Sequence, residues 1–254
     1  MADLFSVRQK KVMVTGGSSG LGKGVAEGLL EAGAEVVVFG SSEKALQTER
    51  EFRARGLNAH SVSGNLGDEG ELNRCFNEAL AALDGEVDVL INAAGILLRG
   101  RSEDFSIADW NAVMSVNLTA MFLLSQLAAR NMIQRGKGGK IINFASLVSF
   151  FGGQSVPAYA ASKGGVAQLT KALCNDWAKY GINVNAIAPG YFDTPMNAAS
   201  FGDEKRSSDI VGRIPLGRWG APDDLKGIAI FLSSSASDYI SGAMIPVDGG
   251  YLCK

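Results

Sequence analysis

One stretch limits the fold more than any other. Lys11-Val-Met-Val-Thr15 is a short apolar run, Thr15-Gly-Gly-Ser-Ser-Gly-Leu-Gly22 follows at once, and Leu21, Val25, Leu29 and Leu30 then recur at helical spacing. This reads as a buried strand, a glycine-rich turn and a helix. Glycine permits the tight turn and lets backbone approach a ligand closely. The start of the helix offers free amides and the positive end of its dipole to a phosphate. Gly16, Gly20 and Gly22 are not spaced as G-x-G-x-x-G, so the turn alone does not fix the ligand, but its strand and helix flanks favour a nucleotide.

Short apolar runs and amphipathic segments alternate through the rest of the chain. The pattern predicts strands over 33–40, 57–63, 87–91, 140–144, 182–188 and 244–248, and helices over 43–55, 69–83, 110–135, 156–180 and 222–232. Tyr191 to Arg218 reads as irregular, with a length that suits a lid over a site. No linker, repeat or low-complexity segment divides the chain. The expected fold class is α/β, a single-domain doubly wound parallel sheet of Rossmann type with helices on both faces, spanning residues 1–254. Such sheets bind ligands outside the carboxyl ends of their strands. The glycine turn, Asn92-Ala-Ala-Gly95, Ser146 and Pro189-Gly190 all fall at those ends.

Composition removes several classes of function. The 254 residues are 46% hydrophobic with a formal net charge of −2, so no basic patch calls for nucleic acid. The first residues lack an apolar signal core, and no run reaches the roughly 18 apolar residues of a membrane span. The expected location is the cytoplasm, with no membrane partner. Cys75, Cys174 and Cys253 lie far apart and read as free thiols. His60 is the only histidine, which argues against histidine triads and multi-histidine metal sites, and no metal is expected.

Tyr159 and Lys163 are four apart, just after Pro157, which suits a helix's first turn. They therefore share a helix face. A nearby ammonium favours phenolate and lowers a phenol's pKa, and a phenol so tuned exchanges protons with a carbonyl or alcohol oxygen. Ser146, thirteen residues earlier at the end of an apolar run, is placed to bond the same oxygen. The same spacing also packs a ring on a lysine stem, and a cofactor site elsewhere in the chain decides between the two. Asn117, inside the helix expected over 110–135, reads first as a structural hydrogen-bonding residue. Ser41 and Ser42, after the second strand, either cap the next helix or meet a ribose.

Assembled, these residues resemble the short-chain dehydrogenase/reductase family over nearly the whole chain. The resemblance rests on Thr15-Gly-x-x-x-Gly-x-Gly22, Asn92-Ala-Ala-Gly95, Asn117, Ser146, Tyr159-x-x-x-Lys163 and Pro189-Gly190, in this order. It implies that Tyr159 is the general acid/base, that Lys163 holds the nicotinamide ribose and lowers the tyrosine's pKa, and that Ser146 orients the substrate oxygen. It implies that Asn117 kinks its helix and holds a water leading to Lys163. Gly16, Ser18, Ser19, Gly20, Leu21 and Gly22 would line the pyrophosphate. Ser41, Ser42, Asn65, Leu66, Asn92, Ala93, Ala94 and Gly95 would flank the adenosine. Pro189, Gly190, Phe192 and Thr194 would edge the nicotinamide. Two departures bear on the cofactor. Asn65 replaces the usual aspartate, and its carbonyl is expected to accept from the adenine amine. Gly40 lacks an acidic side chain, and Ser19 stands where many NADP users have arginine. NAD is the expected cofactor, with NADP admitted.

A narrower resemblance joins Ser149-Phe-Phe-Gly-Gly-Gln-Ser-Val-Pro-Ala-Tyr159, Asn185-Ala-Ile-Ala-Pro-Gly-Tyr191 and Arg213-Ile-Pro-Leu-Gly-Arg-Trp-Gly220 to sugar-acid dehydrogenases of the family. It implies a small carboxylated substrate contacted by Ser146, Tyr159 and Tyr191, with Arg99, Arg206 and Arg213 as candidate partners for the carboxylate. The alternatives are a 3-oxoacyl-carrier-protein reductase or another carbonyl reductase of the family, and a dinucleotide-binding regulator without catalysis. The family's four-helix contacts imply a homotetramer, joined through the helices over 110–135 and after Pro157, and through Ile245 to Leu252.

Overall fold

In the computed structural model, which describes residues 4–254, successive strand residues point to opposite faces of one sheet, and both sets are apolar. From β1 (Lys11–Thr15), β2 (Glu35–Gly40) and β4 (Val89–Asn92), residues Val12, Val14, Val36, Val38, Val89 and Ile91 enter one core. Met13, Val37, Phe39 and Leu90 enter the other. Each strand is thus buried on both sides, as parallel sheets demand. A fully buried valine or isoleucine contributes roughly 1.5–3 kcal/mol, so a charge at Val14 or Ile91 would break the layer.

β3 (Ala59–Ser63), β5 (Gly139–Phe144), β6 (Ile182–Pro189) and β7 (Met244–Val247) complete the order β3-β2-β1-β4-β5-β6-β7. Every neighbouring pair is parallel. Helices α1 (Gly20–Glu31), α2 (Lys44–Ala54) and α3 (Glu69–Ala82) connect the first strands. Strand order reverses between β1 and β4, where the register sets Thr15 beside Asn92 and Asn92 beside Asn143. That reversal opens the crevice that holds the site.

The helix expected over 110–135 begins earlier and is interrupted. Ser106 caps it by accepting the Asp109 N–H at 3.0 Å. It then runs as α4 (Ile107–Met114), a π-turn (Ser115–Thr119) and α5 (Ala120–Arg135). By length and composition this span of 29 residues is apolar enough to cross a membrane. Here Leu124, Ala128 and Met132 pack into the core under the sheet. α6 (Pro157–Trp177) lies beside it.

Residues 191–218 are not irregular as expected. They hold α7 (Ala198–Phe201) and α8 (Glu204–Val211), each too short for a helical period to stand out in sequence. A separate small core of Leu147, Ile210, Ile214, Trp219 and Tyr251 holds the segment, and the Trp219 indole donates to Ser207 Oγ at 3.0 Å. α9 (Lys226–Ser233) returns along α1, so closely that a Cβ at Gly28 would lie 2.6 Å from Lys226 Cγ. All three cysteines are free. His60 bridges Glu35 and Arg53 at 2.8 and 3.3 Å, away from the crevice. No cluster of metal-ligating side chains occurs among the described residues.

Candidate active site

A cavity of about 540 Å³ opens at the carboxyl ends of β1, β4, β5 and β6. Its first wall is the glycine turn. Gly16 has φ +67° and Gly20 φ +52°, a region that favours glycine. A Cβ at Gly16 would lie 2.9 Å from Ala94 Cα, and one at Gly22 would run into the Gly16 carbonyl. Thr15 Oγ1 accepts the Ala94 N–H at 3.0 Å and ties the turn to the end of β4. Ser19 caps α1 without a side-chain bond, and the first turn has no acidic residue. The helix's leading amides are therefore free for an anion. This cradle of bare backbone fits a dinucleotide's pyrophosphate.

Ala93, Ala94 and Gly95 form the next wall, and Ser19, Gly20, Leu21 and Gly22 face them. Asn92 does not reach the cavity. Its amide donates to Ser125 Oγ and Asn143 Oδ1, each at 3.0 Å, and Asn143 donates on to Thr170 Oγ1 at 3.0 Å. This buried chain braces β4 and β5 against α5 and α6. Asn117, fully buried in the π-turn, accepts the Ile96 N–H at 2.8 Å and donates to the Ile96 carbonyl at 3.0 Å and Ser162 Oγ at 3.2 Å. It holds the segment after β4 that carries Gly95, from the position where the helix is distorted.

The third wall comes from the end of β5 and from α6. Ser146, Tyr159 and Lys163 all line the cavity. Lys163 Nζ donates to the Phe144 carbonyl at 2.5 Å and lies 5.7 Å from the centre of the Tyr159 ring. Ser149 Oγ donates to the Lys163 carbonyl at 2.7 Å, fixing α6 to the turn after β5. Burial brings the Lys163 ammonium down to about 8. Burial also pushes the Tyr159 phenol up, against a smaller lowering from the Ser146 hydroxyl. The spacing predicts that the lysine brings the phenol toward neutrality, but the net shift is upward and its cause is burial. Desolvation disfavours the charged forms of both groups. The phenol is therefore held as an acid.

The far wall is Pro189, Gly190, Tyr191, Phe192 and Thr194. Gly190 has no room for a side chain, since a Cβ would lie 2.7 Å from Asp248 Cα. Thr194 closes over the glycine turn, 3.6 Å from a Cβ built at Gly20. Ser18, Ser41, Ser42, Asn65 and Leu66 stand outside the cavity. Ser42 borders a separate groove with Lys44, Gln47 and Arg50. Asn65 Oδ1, the expected adenine partner, accepts the Gly67 N–H at 3.0 Å, and Leu66 leans on the core. A Cβ at Gly40 would lie 2.7 Å from Ser18 Oγ, so a side chain at the end of β2 would have to displace the Ser18 hydroxyl.

Arg99, Arg206 and Arg213 all line the cavity, and no carboxylate does. Tyr251 and Gln154 also line it. Neither was expected there. Gln154 falls inside the stretch that carries the sugar-acid resemblance. Tyr251 follows Gly249 and Gly250, with φ +65° and +89°, and such a pair is a turn signal that could have placed it at a strand end.

Residues 16–252 match a family model described as enoyl-(acyl carrier protein) reductase. The chain is 45% identical to 2-dehydro-3-deoxy-D-gluconate 5-dehydrogenase of Escherichia coli, covering 98% of each protein. It is 40% identical to gluconate 5-dehydrogenase of Gluconobacter oxydans, covering 98% of this chain and 96% of that one. A gluconate 5-dehydrogenase of Burkholderia cenocepacia, solved with NADP and tartrate, superposes with a TM-score of 0.94 at 41% identity, covering 99% of this chain and 98% of that one.

Proposed function

The chain belongs to the short-chain dehydrogenase/reductase family, and from that premise we propose that it interconverts a ketone and a secondary alcohol on a small sugar acid. It is an NAD(P)-dependent oxidoreductase acting on CH–OH groups. One observation carries the substrate reading. Ser146 and Tyr159 share a cavity with three guanidinium groups and no carboxylate. A reacting oxygen beside the hydroxyls and an anion beside the arginines describe a carboxylated carbonyl compound. The names of the relatives above support the same class.

The chain's own residues divide the work. Ser146 donates to the substrate oxygen and holds it beside Tyr159. Tyr159 gives its proton to that oxygen in reduction and recovers it in oxidation. Lys163, below the ring, stabilises the phenolate left behind. Gly16 to Gly22 and the free amides of α1 would hold the pyrophosphate, and Pro189 to Thr194 with Lys163 the nicotinamide half. The bound cofactor supplies or accepts the hydride. Much of the rate comes from holding the partners in reacting geometry.

We place NADP beside NAD as a cofactor, because Gly40 leaves no carboxylate to repel a 2′-phosphate. A cytoplasmic location is supported by three free thiols, which suit a reducing compartment. A homotetramer is supported by the apolar side chains that one chain leaves outside. Phe122 and Ile133 on α5 are 37% and 36% exposed, and β7 is an apolar edge strand.

The test is to assay 2-keto-3-deoxygluconate, gluconate and 2-deoxygluconate with NAD and NADP separately, beside neutral sugar alcohols and acyl thioesters. Fastest turnover of one of the acids is the expected result. Faster turnover of alcohols or thioesters would remove the sugar-acid reading and leave the dehydrogenase. Fast thioester turnover would favour the acyl-carrier reading.

A further inference from the structure

We infer that Arg213, held on the face of Tyr251, is the arginine that receives the substrate's carboxylate, and that Tyr251 is its positioning residue. This rests on the sugar-acid reading above. Arg213 Cζ lies 4.4 Å from the centre of the Tyr251 ring, within the range where a cation is attracted to the ring's negative face. A planar guanidinium stacked this way keeps its edge N–H groups free for a carboxylate. Both side chains line the cavity.

The plate under the arginine is built in. Tyr251 is 3% exposed and belongs to the small core that holds α8. Its ring lies 5.2 Å from Tyr191, which is 5.6 Å edge-on from Trp219. Burial, then the neighbouring Tyr191, push its phenol up to about 12, so the ring stays neutral. The two backbones are locked as well. The Leu216 N–H donates to the Gly249 carbonyl at 3.1 Å. Asp248 accepts from the Gly250 and Leu252 amides, each at 2.9 Å. A Cβ at Gly250 would lie 2.9 Å from Pro215 Cγ. The turn carrying Tyr251 is therefore fastened to the residues that follow Arg213.

The other two arginines have no such support. Among the described residues, the Arg206 and Arg99 guanidiniums make no hydrogen bond, ion pair or ring contact. Ordering a free arginine side chain costs rotamer entropy, which the stack on Tyr251 has already reduced for Arg213. No carboxylate within the cavity competes for it.

The experiment uses Arg213→Ala, Tyr251→Leu and Tyr251→Phe. KM and kcat are read with NADP for gluconate, 2-keto-3-deoxygluconate and their uncharged amides. Binding of both acids to the NADPH-loaded protein is read by calorimetry. Arg213→Ala is expected to raise KM and Kd for the acids by about 10- to 100-fold, from the loss of a charge-assisted hydrogen bond, with the amides and kcat little changed. Tyr251→Leu is expected to do the same by about 3- to 30-fold. Tyr251→Phe, which keeps the ring, restores wild-type KM. If Arg213→Ala leaves the acids' KM and Kd unchanged, or if neither acid binds, the inference is overturned. If Tyr251→Leu affects acids and amides alike, the positioning role is overturned. Acids that bind through Arg213 but are not turned over would sink the sugar-acid dehydrogenase reading and leave this one standing.

Discussion

Lys163 on α6 donates to the carbonyl of Phe144, the last residue of β5, at 2.5 Å. The bond fixes the helix that carries Tyr159 against the strand end that carries Ser146. The Ser146 and Tyr159 hydroxyls thus take their places from one lysine, whose charge also lies 5.7 Å from the Tyr159 ring centre.

Replacing Tyr159 by Phe removes the exchangeable proton and keeps the ring. Turnover should fall roughly 10²- to 10⁴-fold, the usual worth of a positioned acid or base. Affinity for NADP, read by fluorescence titration, should change little. Near-normal turnover in this variant would remove Tyr159 from the mechanism.

Burial raises the Tyr159 phenol, so the two directions of reaction should separate with pH. Reduction uses the protonated phenol and should hold its rate through neutral pH. Oxidation uses the phenolate, and its kcat should climb as pH rises above neutral. Stopped-flow rates measured from pH 6 to 10 with saturating substrates test this. An oxidation rate that is flat across that range contradicts it.

The buried lysine also has a stability signature. Burial brings Lys163 down to about 8 from an ordinary 10.5. Below pH 8 both folded and unfolded chains hold the proton, and the penalty for burying it is fully present. Between about 8 and 10.5 only the unfolded chain holds it, so stability should rise with pH there. The whole effect is about 3 kcal/mol. Lys163→Met should be more stable than the parent at pH 7, with the difference shrinking toward pH 10. Urea midpoints that stay parallel for the two proteins across this range would refute the linkage.

Gly22→Ala tests the cradle. The new methyl would run into the Gly16 carbonyl, forcing the turn apart at a cost of about 1–3 kcal/mol. Cofactor should then give a smaller rise in melting temperature than in the parent protein. An undiminished rise would show that this turn does not hold the pyrophosphate.

The strand ends were legible because β1, β4, β5 and β6 are apolar runs that stop at small or polar residues, which sets Ser146 just past β5, and Tyr159 and Lys163 were legible from their spacing of four behind Pro157. The π-turn was not legible. Asn117 looks like any mediocre helix former until its bonds to Ile96 are seen. Nor were the short α7 and α8, and Ile210 and Val211 of α8 face a core supplied by distant Leu147 and Tyr251. Asn92 shows the opposite error. Its place in a strand-end motif pointed to the cavity, but its amide serves Ser125 and Asn143. Sequence shows which residue types collect at a strand end, and only packing decides which of them turn inward.

The all-parallel order of the sheet has a kinetic consequence. No two neighbouring strands can close through a hairpin, since each parallel pair needs a crossover of a dozen or more residues. β1 meets β2 across one helix, but it meets β4 only after most of the first half of the chain has been placed. Such non-local pairings must form before they are rewarded, which slows the search. Until they do, apolar strands such as β4 and β6 remain open edges, the templates on which chains aggregate. The protein's yield on refolding should therefore fall with concentration long before its native state loses stability.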